Sequence, residues 1–255
     1  MMASDTISAE VLLLSAGFGT RLKPLTESCP KPLVSVAGKT LIERNLELVA
    51  EAGFPRVFIN LHHLGHHIKA YVGDGRAWGL DVEYFEEDPI LDTGGAIKNI
   101  ASRWEKETLV TINSDVLIAP TFSLKTFVEK HAHHKDKPTA TMLLREDVDA
   151  FAYGAVCVNE QMRVCEFLNV KYLQAPSVRP LMYTGIQALS KRVLDFMPKE
   201  AGSVFSITKH TYPKMLSGGC FVQGVLWSGY WSDVGTHDRL KEAEKEAERI
   251  FGLSN

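Results

Sequence analysis

The run LLLSAGFGTRLKPLTESCPKPL, from Leu12 to Leu33, passes from apolar to glycine-rich to cationic within a short span. Gly17 and Gly19 permit tight backbone geometry and close ligand approach, and successive amides in such a turn form a concavity suited to an anion. Arg21 brings a planar fork of donors that matches phosphate oxygens, while Lys23 and Lys31 bring compact charge. Pro24, Pro30 and Pro32 stiffen the loop and lower the cost of holding those cations. The plainer alternative is a solvated basic loop. No Gly-Lys-Ser or Gly-Lys-Thr closes the stretch, so it is not a Walker A loop, and the third glycine of a dinucleotide fingerprint is absent.

Two acids next to turns complement that loop. Asp115 follows TINS, and Asp233 sits in GYWSDVG. Carboxylates converging on a triphosphate hold Mg²⁺ by oxygen coordination, and the ion offsets charge on the transferring phosphoryl group. Taken singly, each acid also fits a turn or helix-cap role. A second polar-glycine turn, ILDTGGAI (Ile90 to Ile97), offers the Thr93 hydroxyl and exposed Gly94–Gly95 amides to a base or sugar. It also fits a simple helix start.

These groups need a scaffold, and the chain is long enough to build one. Its 255 residues, 45% hydrophobic and 23% charged, suit a globular protein with a sizeable core. VLLLS, RVFIN, LDVEYF and TLVTINSD read as short strands, and Lys39 to Gly53, Leu64 to Val72 and about Gly95 to Arg103 as helices between them. Alternation of this kind predicts a βαβ sheet, whose ligands lie beyond the carboxyl ends of the strands. Further along, Thr121 to His134 reads as a helix and TATMLLR as a strand. Tyr153 to Leu168 reads as a hairpin turning at Asn159–Glu160, SVRP leads into the strand LMYTGIQALS, and Ile207 to Leu216 reads as helical despite Pro213. Gly218 to Gly235 reads as strands in a meander, and Thr236 to Phe251 as a charged closing helix.

Other classes are disfavoured. A formal net charge of −3 gives no reason to expect nucleic acid, and no apolar window reaches membrane-spanning length. The start, MMASDTISAE, does not read as a secretory signal, and Cys29, Cys157, Cys165 and Cys220 lack paired spacing, so a cytoplasmic protein with free thiols is expected. LHHLGHH and HAHH lack carboxylate partners at a recognised spacing and read as exposed or packing histidines.

Together the motifs resemble a family. LSAGFGTRLKPLTESCPKPL is similar to the signature of sugar-1-phosphate nucleotidyltransferases, and LDTGGAI, VTINSDV, YTGI and GYWSDVGT recur in that family's order from Val11 to about Ala247. The resemblance implies an α/β fold, Rossmann-like and mostly parallel with flanking helices, and a smaller mixed α+β sugar-side lobe of glycosyltransferase-A type. One domain over 1–255 is expected, with a nucleotide-binding core at about 8–146 and a closing region at about 147–255. It implies Mg²⁺-dependent reaction of a nucleoside triphosphate with a sugar 1-phosphate, in a monomer or small homo-oligomer. Arg21 and Lys31 would be catalytic, and Asp115 and Asp233 metal ligands. Ser15, Ala16, Gly17, Gly19, Thr20, Arg21, Thr93, Gly94 and Ser114 would bind nucleotide. Lys31, Asp115, Lys171, Thr184 and Gly185 would meet the sugar phosphate.

Three departures stand out. The family usually has alanine at Ser15 and glycine at Ser114, and its Glu-Lys-Pro segment is replaced here by CEFLNVKYLQ, which leaves Lys171 as a displaced substitute. The motifs lean to uridylyl transfer onto an N-acetylated sugar 1-phosphate, with guanylyl transfer to mannose or heptose 1-phosphate as the alternative. A catalytically inactive nucleotide-binding module is the rival of a different class. No hexapeptide repeats mark a fused acetyltransferase.

Overall fold

The computed structural model describes residues 8–148, 150–151, 154–174, 179–200 and 202–252. Strand β1 (Ala9–Leu14) leads into three short 3-10 turns (Thr20–Leu22, Leu25–Glu27, Lys31–Leu33) and a ribbon of β2 (Ser35–Val36) and β3 (Lys39–Thr40). Next come α1 (Leu41–Glu51), β4 (Arg56–Leu61), α2 (Gly65–Val72), β5 (Asp81–Glu86), α3 (Asp92–Asn99) and β6 (Thr108–Asn113). They are followed by β7 (Val116–Ile118), α4 (Leu124–Ala132), β8 (Ala140–Arg145), β9 (Val156–Val158), β10 (Val164–Phe167), β11 (Val170–Lys171) and the long β12 (Arg179–Ser190). A π-helical turn (Ile207–Thr211) runs into α5 (Tyr212–Ser217), followed by β13 (Val222–Leu226), β14 (Trp231–Asp233) and α6 (His237–Phe251).

Strands β6, β1, β4 and β5 lie side by side and parallel, with Val11 opposite both Val57 and Val110. Alternate side chains serve opposite faces. Val11 and Leu13 join Ile42, Leu46, Ile68 and Phe127 under α1, α2 and α4, whereas Leu12 joins Ile97, Met215 and Tyr212 under α3 and α5. Burial on both faces is why these strands read as unbroken apolar runs. Strand β12 then changes direction and character. Its Ile186–Ser190 half pairs antiparallel with β6, and its Arg179–Leu181 end pairs with β9. One strand thus joins the parallel block to the antiparallel β9–β10–β11 within a single ten-stranded sheet.

Several expectations need correction. The segment Gly218 to Gly235 is not a meander: β13 joins the large sheet parallel to β8, while β14 leaves it to pair with β7. Helix α3 begins at Asp92 rather than near Gly95, because the carbonyl of Phe205 accepts from the Gly94 and Gly95 amides at 2.9 and 3.1 Å and supports a helix start that propensity alone disfavours. The β9–β10 turn is wider than Asn159–Glu160. It spans Asn159 to Arg163, whose amide, with that of Gln161, donates to Asn159 Oδ1. Tyr153 of that predicted hairpin, and Ser177 and Val178 of SVRP, lie outside the described residues. Pro213 is tolerated because it falls in the first turn of α5, where its missing N–H is not needed.

Helix α4 starts at the Ser123 cap, whose hydroxyl accepts from the Thr126 amide, and it buries His131 against β8. There His131 Nδ1 and Thr141 Oγ1 lie 2.9 Å apart, and burial pushes the imidazole down to about 4. An unfolded histidine titrates near 6.5, so between those values the unfolded chain binds the extra proton. Stability should therefore fall as pH drops from about 6.5 toward 4, by up to about 1.4 kcal/mol per pH unit from this group. Urea titrations across that range should show the slope, and His131→Gln should flatten it.

Candidate functional site

The parallel strands end together, and a cavity of about 550 Å³ opens there between the tips of β6, β1, β4 and β5. Such crevices are where ligands enter sheets of this kind. Ser15, Ala16, Gly17, Gly19, Thr20, Arg21, Lys31, Thr93, Ser114 and Asp115 all line it.

The cationic loop is held from within. Gly19 has φ 63°, and a Cβ there would fall 2.9 Å from Thr26 Cγ2, so glycine is required on both counts. The Thr26 hydroxyl donates to the Gly19 carbonyl at 2.9 Å, and Leu22 is fully buried beneath the turn. Gly17 differs: a Cβ there would meet nothing within 4 Å, which leaves the cavity wall open. The first histidine pair of LHHLGHH supports the same loop. His63 Nε2 donates to the Thr26 carbonyl at 3.1 Å, and Phe18 meets the His62 ring edge-on with centroids 5.2 Å apart.

The acids are assembled from distant parts of the chain. Asp115 leaves β6, and its Oδ2 pairs with Lys31 Nζ, while its Oδ1 is buried without a partner. Strand β14 places Asp233 opposite Val116, and the Val234 amide donates to the Asp115 carbonyl at 2.9 Å. Asp233 thus stands beside Asp115, and its Oδ1 pairs with the Arg239 guanidinium of α6. Arg21 lies over Gly235, where a Cβ would sit 2.9 Å from Nη2 and 3.4 Å from Asp233 Oδ2. The buried Asn45 amide donates to Leu41 O at 2.8 Å and reaches Val116 O and Ser114 O at 3.4 and 3.5 Å, bracing both sides of Asp115. The Ser114 hydroxyl, at a position where the resembled family usually has glycine, donates to the Leu14 carbonyl at 2.7 Å and ties β6 to β1.

Asp115, which keeps an unpartnered buried oxygen, and Asp233, carried on the strand paired next to it, are hard oxygen donors of the kind that fit Mg²⁺. Among the described residues no group of three or more His, Cys, Asp and Glu is placed to hold a metal alone. Phosphate oxygens and water would complete the coordination of an ion that keeps several non-protein ligands.

Other expected residues are placed differently. The Gly94 and Gly95 amides are not exposed to a ligand, since both donate to Phe205, and Gly94 abuts that residue's ring. Thr93 does line the cavity, with its hydroxyl oxygen accepting from the Ile207 amide at 3.1 Å. Thr184 is buried and donates to Leu143 O, and Gly185 backs the Asn113 side chain; neither lines the cavity. Lys171 is exposed on β11 opposite Glu166 and does not line it either.

Sequence reasoning overlooked Asn45, Asn60, Glu87, Asn113 and Arg239. Asn60 and Glu87 form the cavity floor with Ser15: the Ser15 amide donates to Asn60 Oδ1 at 2.7 Å, and Asn60 Nδ2 donates to Glu87 Oε1 at 2.8 Å. Glu87 Oε2 accepts from the Leu91 amide at 2.8 Å. Burial still pushes the Glu87 carboxyl above its usual range, although these bonds favour the ionised form. A lone polar residue closing the apolar run RVFIN was the available signal for Asn60.

A model of the family described as "Nucleotidyl transferase" matches residues 10–250. A mannose-1-phosphate guanylyltransferase of Mycobacterium tuberculosis is 33% identical over 237 residues, covering 92% of this chain but only 63% of that protein. An N-acetylmuramate alpha-1-phosphate uridylyltransferase of Neisseria meningitidis is 30% identical over 247 residues, covering 92% of this chain and 96% of that protein. In fold, the chain matches HddC from Yersinia pseudotuberculosis complexed with GMP-PN, with TM-score 0.75 and 24% identity over 93% of this chain and 99% of that one.

The two loop glycines should separate cleanly on substitution. Gly19→Ala forces a left-handed backbone and a clash, and should cost about 1–3 kcal/mol. Gly17→Ala should stay within about 0.5 kcal/mol of the parent. Chemical denaturation of the two variants measures the difference.

Proposed function

Since the chain belongs to the nucleotidyl transferase family, we propose that it transfers a nucleotidyl group from a nucleoside triphosphate to a sugar 1-phosphate. The products are a nucleotide-sugar and pyrophosphate. The observation that carries this reading is the meeting of Arg21, Lys31 and Asp115 in one cavity, with Asp233 held alongside by β14.

An oxygen of the sugar phosphate attacks the α-phosphorus, the bond from that phosphorus to the bridging oxygen breaks, and pyrophosphate leaves with the electron pair. The chain supplies no nucleophile. Its work is alignment and charge neutralisation. Arg21, steadied over Gly235, grips the triphosphate and favours departure of pyrophosphate. Lys31 exchanges Asp115 for the α-phosphate and the incoming sugar phosphate. Asp115 and Asp233 would hold Mg²⁺, which when bound would offset the negative charge of the phosphates. Backbone groups of Ser15 to Thr20, together with Thr93 and Ser114, line the nucleotide side. Thr184, Gly185 and the exposed Lys171 are assigned to the sugar side, toward β12. The same reading keeps one domain, with a core at about 8–146 and a closing region at about 147–255. It also takes the chain as a cytoplasmic monomer or small homo-oligomer without a nucleic-acid partner. Uridylyl transfer to an N-acetylated sugar 1-phosphate and guanylyl transfer to mannose or heptose 1-phosphate each have a relative on their side.

The test is pyrophosphate release from UTP, GTP, CTP, ATP and dTTP paired with several sugar 1-phosphates. Release should occur with a narrow set of pairs, stop on chelation with EDTA and return with Mg²⁺. Silence across the whole matrix would favour a nucleotide-binding regulatory module instead. Asp115→Asn should abolish release while circular dichroism shows an intact fold, and Arg21→Ala should lower kcat/KM on the order of 10²–10³-fold. Near-normal turnover by Asp115→Asn would sink the metal assignment.

A further inference from the structure

The two acids differ in what holds them. Asp115 pairs with Lys31, which the proposed chemistry hands over to phosphate. Asp233 pairs with Arg239, a residue that no step of that chemistry uses. The Arg239 and Asp233 side chains are 27% and 20% exposed, so their attraction is screened less than that of a pair on an open surface.

Arg239 stands where helix physics disfavours it. Thr236 caps α6: its Oγ1 accepts from the Arg239 amide at 3.3 Å, and its carbonyl accepts from the Leu240 amide at 2.9 Å. Arg239 is therefore the third residue of the helix, the place that a capping box gives to glutamate or glutamine. The helix dipole favours acids in that turn, as at Asp238, and opposes a cation. A guanidinium set against both preferences answers a charge outside the helix, and Asp233 is that charge. Its anchorage is firm. Ala243 and Ala247, further along α6, are buried in one cluster with Val234, the neighbour of Asp233. Packed elements thus deliver Arg239 to Asp233 as an intramolecular partner that dilution does not remove.

A guanidinium and a divalent cation compete for the same negative charge, just as an adjacent arginine competes with a proton for a carboxylate. Asp233 Oδ1 meets Arg239, and Oδ2 lies 3.4 Å from the point over Gly235 that is itself 2.9 Å from Arg21 Nη2. A metal must therefore win this carboxylate from a cation already in place. We propose that Arg239 is the resident counter-ion of Asp233: it holds the carboxylate in position, lowers its affinity for Mg²⁺, and reclaims it once product has gone. Arg239 is thus a positioning residue, and through it the metal site is transient rather than permanent. This rests on the metal-ligand role of Asp233 in the proposed reaction.

Mn²⁺, used as a spin probe on the full chain without nucleotide, tests the inference apart from turnover. Loss of the free-ion signal in electron paramagnetic resonance should show Arg239→Gln binding Mn²⁺ on the order of tenfold to a hundredfold more tightly than the unaltered protein. Arg239→Lys, which keeps the charge, should return binding toward the weaker value. The gain must pass through Asp233, so Asp233→Asn and the double variant Asp233→Asn/Arg239→Gln should bind Mn²⁺ alike. Unchanged or weaker binding by Arg239→Gln would overturn the inference. So would an equal gain in the Asp233→Asn background, since Arg239 would then act only through the general field. Should Arg239→Gln fail to fold by thermal melt, Arg239→Met, which keeps the apolar stem, is judged by the same outcomes. No Mn²⁺ binding by any of these proteins, even with triphosphate added, would refute metal-dependent nucleotidyl transfer itself. Binding with triphosphate that is indifferent to Arg239 would refute this inference alone.

Discussion

Parallel strands that stop in one layer leave backbone donors and acceptors at their tips, and burial makes each of those groups expensive to strand. Here the tips satisfy one another. Ser114 ties β6 to the last carbonyl of β1, the amide of Ser15 ties β1 to Asn60 on β4, and Asn60 ties β4 to Glu87 beyond β5. Glu87 then holds the approach to α3 through Leu91. A transverse chain of side-chain bonds thus replaces the ladder where the ladder ends. It braces the floor of the cavity, and Asp115 follows directly on its first member, Ser114.

The second half of the chain contributes closure rather than a separate platform. Strand β12 extends the same sheet, β14 lies against β7, and the Phe205 carbonyl caps α3. Each reaches a point beside the cavity from a remote part of the sequence. The Arg21 guanidinium lies directly over Gly235, so a methyl group there would displace it. Apolar support comes from below, where Leu22, Val34, Leu117, Val234, Ala243 and Ala247 form one cluster joining the cationic loop, β7 and α6.

Much of this was legible in advance because burial leaves a periodic trace. Strands β1, β4, β6 and β8 are apolar runs, and α1 carries both a buried face and a Thr40 cap that accepts from Glu43. The cationic loop and both acids were visible as residue types at strand exits. What escaped notice depends on partners far away in sequence. The start of α3 depends on Phe205, and the three-residue strands β7 and β14 exist only through each other. Asn60 closes an apolar run, Glu87 stands in an acidic one and Asn45 sits among the charged residues of α1, and nothing local shows whether such a residue faces solvent or a buried partner. The amides of Gly94 and Gly95 taught the converse lesson: groups that looked available to a ligand were already engaged by the chain.

The pairing of β14 with β7 also bears on how the protein comes into being. Asp115 and Lys31 are made early and can meet as soon as β1 and β6 are in register, but Asp233 arrives only when the closing segment has been synthesised and has found Val116. A nascent chain on the ribosome therefore displays its cationic loop well before its paired acids. Asp233 arrives last, so a product truncated before β14 carries the cationic loop and Asp115 without the second acid beside them.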